Sequence, residues 1–229
     1  MKGGTRAGSI GAVQGKMKKN GTGGKRGLAE LERQAENGDG EAAWVLGDAY
    51  ADGEKIVLPD GMRAQVRRNR DKAIRWFRLA VELGHTDAMC RLGCLLTDTG
   101  RPEAVAEGIA LLKRAWRRGC LEAAQNLAVT YSELGNPRRC VAWLRASCTR
   151  EESADWVLLG IALAAGYGVR KDLKEAARLF RKVRDDEKGF PIEREEAAGF
   201  LAMMERKRPI RVQGSIGRTH PERLEALEV

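Results

Sequence analysis

Thiols are the side chains best suited to chemistry in this chain of 229 residues. Cys90 and Cys94 stand one helical turn apart, and with His85 or Cys120 they would offer soft ligands to a metal ion. Neither combination has the tight spacing of a zinc site. The five cysteines, completed by Cys140 and Cys148, fall inside helical patterns, so they read as reduced, mostly buried thiols, and no metal is expected. His85 and His220 are the two histidines, scant material for a Ser-His-Asp or Cys-His site. No catalytic residue and no cofactor are expected, and the chain reads as non-enzymatic. Gly21-Thr22-Gly23-Gly24-Lys25 resembles a phosphate-cradling loop, but no strand precedes it and no Ser or Thr follows the lysine, as that motif requires.

Charged residues offer a second kind of chemistry, the recognition of a partner. Asp52, Asp98 and Glu133 each lie six residues after a leucine, at Leu46, Leu92 and Leu127. An acid at a helix C-terminus opposes the macrodipole, so its repetition suggests use toward a basic partner, against the plainer reading of solubility. Arg63, Arg67, Arg68, Arg70, Arg75 and Arg78, with Lys72 among them, form the densest basic cluster outside the ends. It reads as an anion-facing patch or, more simply, as a solvated helix face; no aromatic interleaves to stack bases.

The formal charge of +9 sits at the ends. Residues 1–27 hold seven Lys or Arg and no acid, and the stretch from Glu205 holds six Lys or Arg against four Glu, which leaves residues 28–204 neutral. A neutral central part argues against a domain that tracks a phosphate backbone, although residues 1–27 could still touch nucleic acid. Hydrophobic residues at 43% and charged residues at 32% exclude a wholly disordered chain. No apolar run is long enough to span a membrane and no secretory signal is visible, so a cytoplasmic address is expected.

Placing these residues requires helices. The Gly- and Lys-rich residues 1–27 read as a disordered basic tail, residues 28–206 as a helical repeat domain, and residues 207–229, loose from Pro209 onward, as a C-terminal tail. Leu28, Leu31 and Ala35 mark one face of a capping helix that Asn37-Gly38 ends. Ala42, Leu46, Ala49 and Tyr50 recur as Ala88, Leu92, Leu95 and Leu96, then as Ala123, Leu127, Thr130 and Tyr131. Each such helix is followed by a second amphipathic one, as at Ala73-Ile74-Trp76-Phe77-Ala80. The anchors Leu46, Leu92, Leu127 and Leu159 are 46, 35 and 32 residues apart, the spacing of two-helix repeats. The expected fold is all-α, a right-handed α-α superhelical solenoid of about four helix pairs with capping helices and flexible tails. Ile56-Val57-Leu58, Pro59-Asp60-Gly61 and the alternating Met62, Ala64 and Val66 make an insertion at 54–69 that reads as a small hairpin or as an irregular loop. Ala197, Ala198, Leu201 and Met204 form a face suited to closing the last repeat.

The repeats resemble the Sel-one-like repeat (SLR) family, a cousin of the tetratricopeptide repeats. Its pattern runs A-x-x-x-L-G-x-x-Y-x-x-G-x-G-V-x-x-D, followed by an Ala and an aromatic in the second helix. Leu159-Gly160, Gly166-Tyr167-Gly168-Val169, Asp172, Ala176 and Phe180 fit, with Leu163 in place of Tyr. Ala42, Leu46, Gly47, Tyr50 and Gly53 fit in the first repeat, then Asp71, Ala73, Trp76, Phe77 and Ala80 after the long connection. The second and third repeats lack the Gly-x-Gly-Val loop, and the third has Ala128 for the anchor glycine. The resemblance, over about residues 35–185, implies mostly bacterial protein-binding scaffolds without shared catalytic residues, whose first helices line a concave side. That orientation adds Val45, Asp48, Arg91, Asn126 and Thr130 to the residues expected in a partner-binding groove. A monomeric adaptor, regulator or inhibitor that binds a protein or peptide follows as the expected function. The alternative is a nucleic-acid or ribosome-associated protein that uses residues 1–27.

Overall fold

The computed structural model of the chain describes residues 21–53, 55–58, 61, 63–149, 153–212, 214 and 216. The chain runs through α1 (Gly21–Glu36), α2 (Gly40–Asp52), a hairpin of β1 (Lys55–Val57) and β2 (Arg63–Gln65), then α3 (Arg70–Glu82), α4 (Thr86–Thr97), α5 (Pro102–Arg117), α6 (Glu122–Glu133), α7 (Pro137–Cys148), α8 (Ser153–Ala165), α9 (Leu173–Arg184) and α10 (Pro191–Glu205). Consecutive helices pack as pairs, α2 with α3, α4 with α5, α6 with α7 and α8 with α9, between the end helices α1 and α10. The structure is thus the all-α stack of four helix pairs that the leucine spacing predicts.

Local sequence sets the helix boundaries. Asp39, Asn69, Asn136 and Asp172 each accept a bond from a backbone N–H three residues on, at 3.0, 3.0, 3.2 and 2.9 Å, which satisfies a donor that the helix start leaves unpaired. Gly84 and Gly119 close the turns from one pair to the next in the left-handed region, at φ of 91 and 97°, where a side chain would be strained. The anchors Leu46, Leu92, Leu127 and Leu159 are exposed by only 0, 1, 0 and 4%. Burying each contributes about 1.5–3 kcal/mol before chain entropy is set against it.

Helix pairing depends on missing side chains. A Cβ on Gly47 would meet the Phe77 ring at 2.5 Å, and one on Gly160 would meet Phe180 at 2.6 Å. In the third pair Ala128 stands in the glycine's place, and α7 buries Cys140, Val141, Leu144 and Ser147 while its Trp143 ring packs edge-on against Trp116 of α5. Between repeats, Arg78 on α3 holds Glu107 on α5 with two bonds of 2.5 and 2.9 Å.

The insertion forms a hairpin, with Ile56 opposite Ala64 in an antiparallel pair, and Leu58, Ala64 and Val66 buried. Met62 lies outside the described residues.

Two boundaries differ from expectation. Helix α1 begins at Gly21, within the stretch read as a disordered tail, and Gly27 is buried. Strand β2 packs on α1 and supplies a neighbour that glycine's low helix propensity conceals. At the other end, residues from Pro209 read as loose, yet Ile210 and Ile216 are each 5% exposed and join the apolar core. The capping face also differs: beside Ala197 and Leu201, α10 buries Phe200, whose ring stacks on Phe180 at 5.1 Å.

Candidate partner-binding groove

The first helices of successive pairs crowd together, α2 against α4 and α4 against α6. Their shared side holds a cavity of about 550 Å³ lined by Trp44 of α2, Asp87 and Arg91 of α4, Glu122 and Gln125 of α6 and Asp155 of α8. Trp44 stacks on His85, with ring centroids 5.3 Å apart, and its indole Nε1 is buried without a hydrogen-bond partner among the described residues. His85 is fixed from two sides: its Nδ1 accepts from the Ala88 N–H at 3.3 Å, and its Nε2 lies 3.2 Å from Glu41 Oε2. Trp44, stacked on His85, therefore forms one wall of the cavity.

Three of the residues expected in the groove meet. The Arg91 guanidinium bonds Asp48 Oδ1 at 2.8 Å and Asp52 Oδ2 at 2.6 Å, tying α4 to α2. Burial works against the arginine's charge, but the two carboxylates outweigh it and hold its pKa above the ordinary value. All three side chains are partly exposed, so each pair contributes about 0–1 kcal/mol. Asp98 and Glu133 lie exposed at the ends of α4 and α6, and Val45 is half-buried. Asn126 donates to Cys90 Sγ at 3.4 Å. Thr130 faces inward at 5% exposure, its hydroxyl donating to the Asn126 carbonyl at 2.8 Å, which withdraws it from any partner. The expected row of acids is thus divided, since Asp52 is engaged by Arg91.

The basic cluster is divided as well. Arg75 pairs with Glu36 at 3.2 Å, Arg78 with Glu107, and Arg70 donates to the Leu95 carbonyl. Arg63, Arg67 and Arg68 stay exposed around the hairpin.

Cys90 and Cys120 border the cavity and interact with each other, and Cys94 adjoins Cys90. The Cys120 thiol pulls the Cys90 pKa down, but Cys94 and burial push it up to about 12. Cys120 is raised too, by the Cys90 thiol first and then by burial. Such thiols stay protonated and are poor nucleophiles. His85, occupied by Trp44 and Glu41, stands apart from a shared metal face, and among the described residues no group of three or more His, Cys, Asp or Glu is placed to hold a metal ion.

Trp44, Asp87, Glu122, Gln125 and Asp155 did not emerge from the sequence as site residues. A signal existed: five residues before the anchors stand Glu41, Asp87 and Glu122, an acid in three repeats. Acids in a first helical turn complement the macrodipole, which makes that row look purely local. In the fourth repeat Ala154 takes the place, and the acid moves to Asp155, buried and bonded by the Ser147 hydroxyl.

A family model for the Sel1 repeat matches residues 40–85, 86–120 and 157–182, which are the first, second and fourth helix pairs. The chain carries Sel1 repeats. The unmatched third pair is the one with Ala128 in place of the anchor glycine. No curated protein matches the Sel1-repeat chain in sequence. Among solved structures it is similar to a protective antigen of uropathogenic Escherichia coli strains displaying an SLR fold, with 22% identity and a TM-score of 0.60 over 88% of this chain. It is also similar to a Sel1 repeat protein from Oxalobacter formigenes, with 18% identity and a TM-score of 0.59 over 87% of this chain and 73% of that one. The chain spans 38% of the length of the Escherichia coli antigen, and identities this low speak to the fold alone. Among the described residues no helix is long and apolar enough to cross a membrane.

Proposed function

We propose that this Sel1-repeat chain is a non-enzymatic scaffold that holds a polypeptide partner, as a monomer, in the cavity between its first helices. The observation that carries the reading is the composition of that cavity. Asp87 and Glu122 outnumber Arg91, and Arg91 is already held by Asp48 and Asp52. A Lys or Arg of the partner would complete the charge balance. The Trp44 N–H offers a donor to a partner's carbonyl, and its indole a flat apolar wall of the kind that anchors interfaces. Of the basic segment 1–27, on which the nucleic-acid reading rests, residues 1–20 lie outside the described residues.

The test is affinity capture from the native cell with three full-length proteins: wild type, D87K/E122K, and E103K as an exposed second-helix control. The partner is expected with wild type and E103K and absent with D87K/E122K. Retention of the same partner by D87K/E122K contradicts the reading.

A further inference from the structure

After α10 the backbone is made to turn back. Lys207 adopts φ of 55°, a left-handed conformation uncommon for a residue with a side chain, and Arg208 N–H donates to the Met203 carbonyl at 2.9 Å while Lys207 N–H donates to that of Met204 at 3.0 Å. This is the helix-ending motif in which glycine usually takes the left-handed place. Pro209 follows and prevents the helix from resuming.

The returning segment reaches the preceding repeat. Ile216 N–H donates to Ser132 Oγ near the end of α6 at 2.6 Å, and the same hydroxyl pairs with Tyr167 Oη at 2.8 Å. Between α10 and α6 stands α8, the first helix of the intervening pair. Ile210 and Ile216 are 5% exposed and Val212 is partly buried, all within one apolar cluster with the residues of α8.

Helix α8 carries an aliphatic residue at both positions that flank its anchor on the inner side of the pattern. The position before each anchor, expected in the groove in the other repeats, is Val45, Arg91 and Asn126, but in α8 it is Leu158. The position two after the anchor is Asp48 and Cys94 in the first two repeats, and an aliphatic, Val129 and then Ile161, in the third and in α8. Leu158 is nevertheless 4% exposed, although half-exposed Arg91 holds the equivalent place in α4.

We propose that the inner face of α8 is a binding track for an aliphatic segment, that Ile210, Val212 and Ile216 of the same chain fill it, and that a partner segment with that spacing binds there only by displacing them. The inference rests on the reading of the inner face as a polypeptide-binding surface and assigns a second, apolar subsite beside the acidic cavity. The chemistry the track accepts is that of its resident: branched aliphatic side chains on a backbone that donates one N–H, that of Ile216, to Ser132.

The probe is a fluorescein-labelled synthetic peptide of residues 207–219, with a control peptide carrying Asp at the two isoleucine positions. Full-length wild type and the full-length I210D/I216D variant are titrated by anisotropy. The variant, its track vacated, binds the probe at least about tenfold more tightly than wild type does, a difference of about 1.4 kcal/mol, and neither protein binds the control. Equal binding by both proteins, or none by a cooperatively melting variant, overturns the proposal. Should the variant not melt cooperatively, amide exchange in wild type decides: a protected Ile216 N–H supports the track, and exchange at the rate of an unstructured peptide refutes it. Repeating the titration with D87K/E122K added to I210D/I216D separates the two subsites. The probe still binds if the track is independent of the cavity, so failure of the acidic cavity to capture a partner leaves this result standing, and the reverse.

Discussion

Gly47 on α2 lies under the ring of Phe77 on α3, so close that a Cβ there would stand 2.5 Å from the ring's Cδ1. Gly160 and Phe180 repeat the contact in the last pair at 2.6 Å. The absent side chain lets two helices approach while the aromatic fills the space between them, and the stack depends on that exchange of volumes.

Gly47→Ala and Gly160→Ala each therefore destabilise the protein by about 1–3 kcal/mol through overpacking. Gly199→Ala on α10, where a Cβ would meet nothing within 4 Å, stabilises it by about 0.5–1 kcal/mol through helix propensity. Urea unfolding of the three variants checks the contrast.

The helix pairs were legible because their signal is local. Leucine anchors recur at repeat spacing, caps precede the helices, and the small residue after each anchor faces a bulky one. The C-terminal return was not legible, since Ile210, Val212 and Ile216 show no helical period and acquire meaning only against α8, whose Leu158 and Ile161 sit far off in the chain. The acidic cavity was half visible. Arg91 was expected in the groove, together with the Asp48 and Asp52 that hold it from outside the cavity, but Asp87 and Glu122 were hidden by their ordinary role at helix starts, and Thr130, read as a contact, turns inward.

Glu196 on α10 has its pKa raised to about 7, by burial first and by Glu193 second. The unfolded chain loses this proton near 4.5 and the folded chain near 7, so between these values the folded state binds more protons. Its destabilising effect is absent below about pH 4.5 and grows as pH rises through 7. Glu196→Gln thus raises stability by on the order of 1 kcal/mol at pH 8 and changes little at pH 4.5. Thermal melts at the two pH values measure it.

Burial pushes the Cys140 thiol up to about 11, and burial with the Asp155 charge pushes Cys148 up to about 12, near the value of Cys90. At pH 8 a thiol of pKa 12 carries on the order of a thousandfold less thiolate than an ordinary one. Iodoacetamide should spare Cys90, Cys140 and Cys148 in the native protein and label them after denaturation, as read by peptide mass spectrometry.

Arg91→Ala removes the link from α4 to Asp48 and Asp52. Because all three side chains are partly exposed, the loss is about 1 kcal/mol or less, and it shrinks in 1 M salt. Urea unfolding of the variant at low and high salt reads both effects.

The claim that the first helices hold a partner is tested most directly by photo-crosslinking in the native cell. A benzoylphenylalanine replaces Gln125 in the cavity in one full-length protein and Arg181, exposed on the second helix α9, in another. The account predicts a crosslinked polypeptide from position 125 and none from position 181. Crosslinks from 181 alone, or from neither position while the protein remains folded, would contradict it.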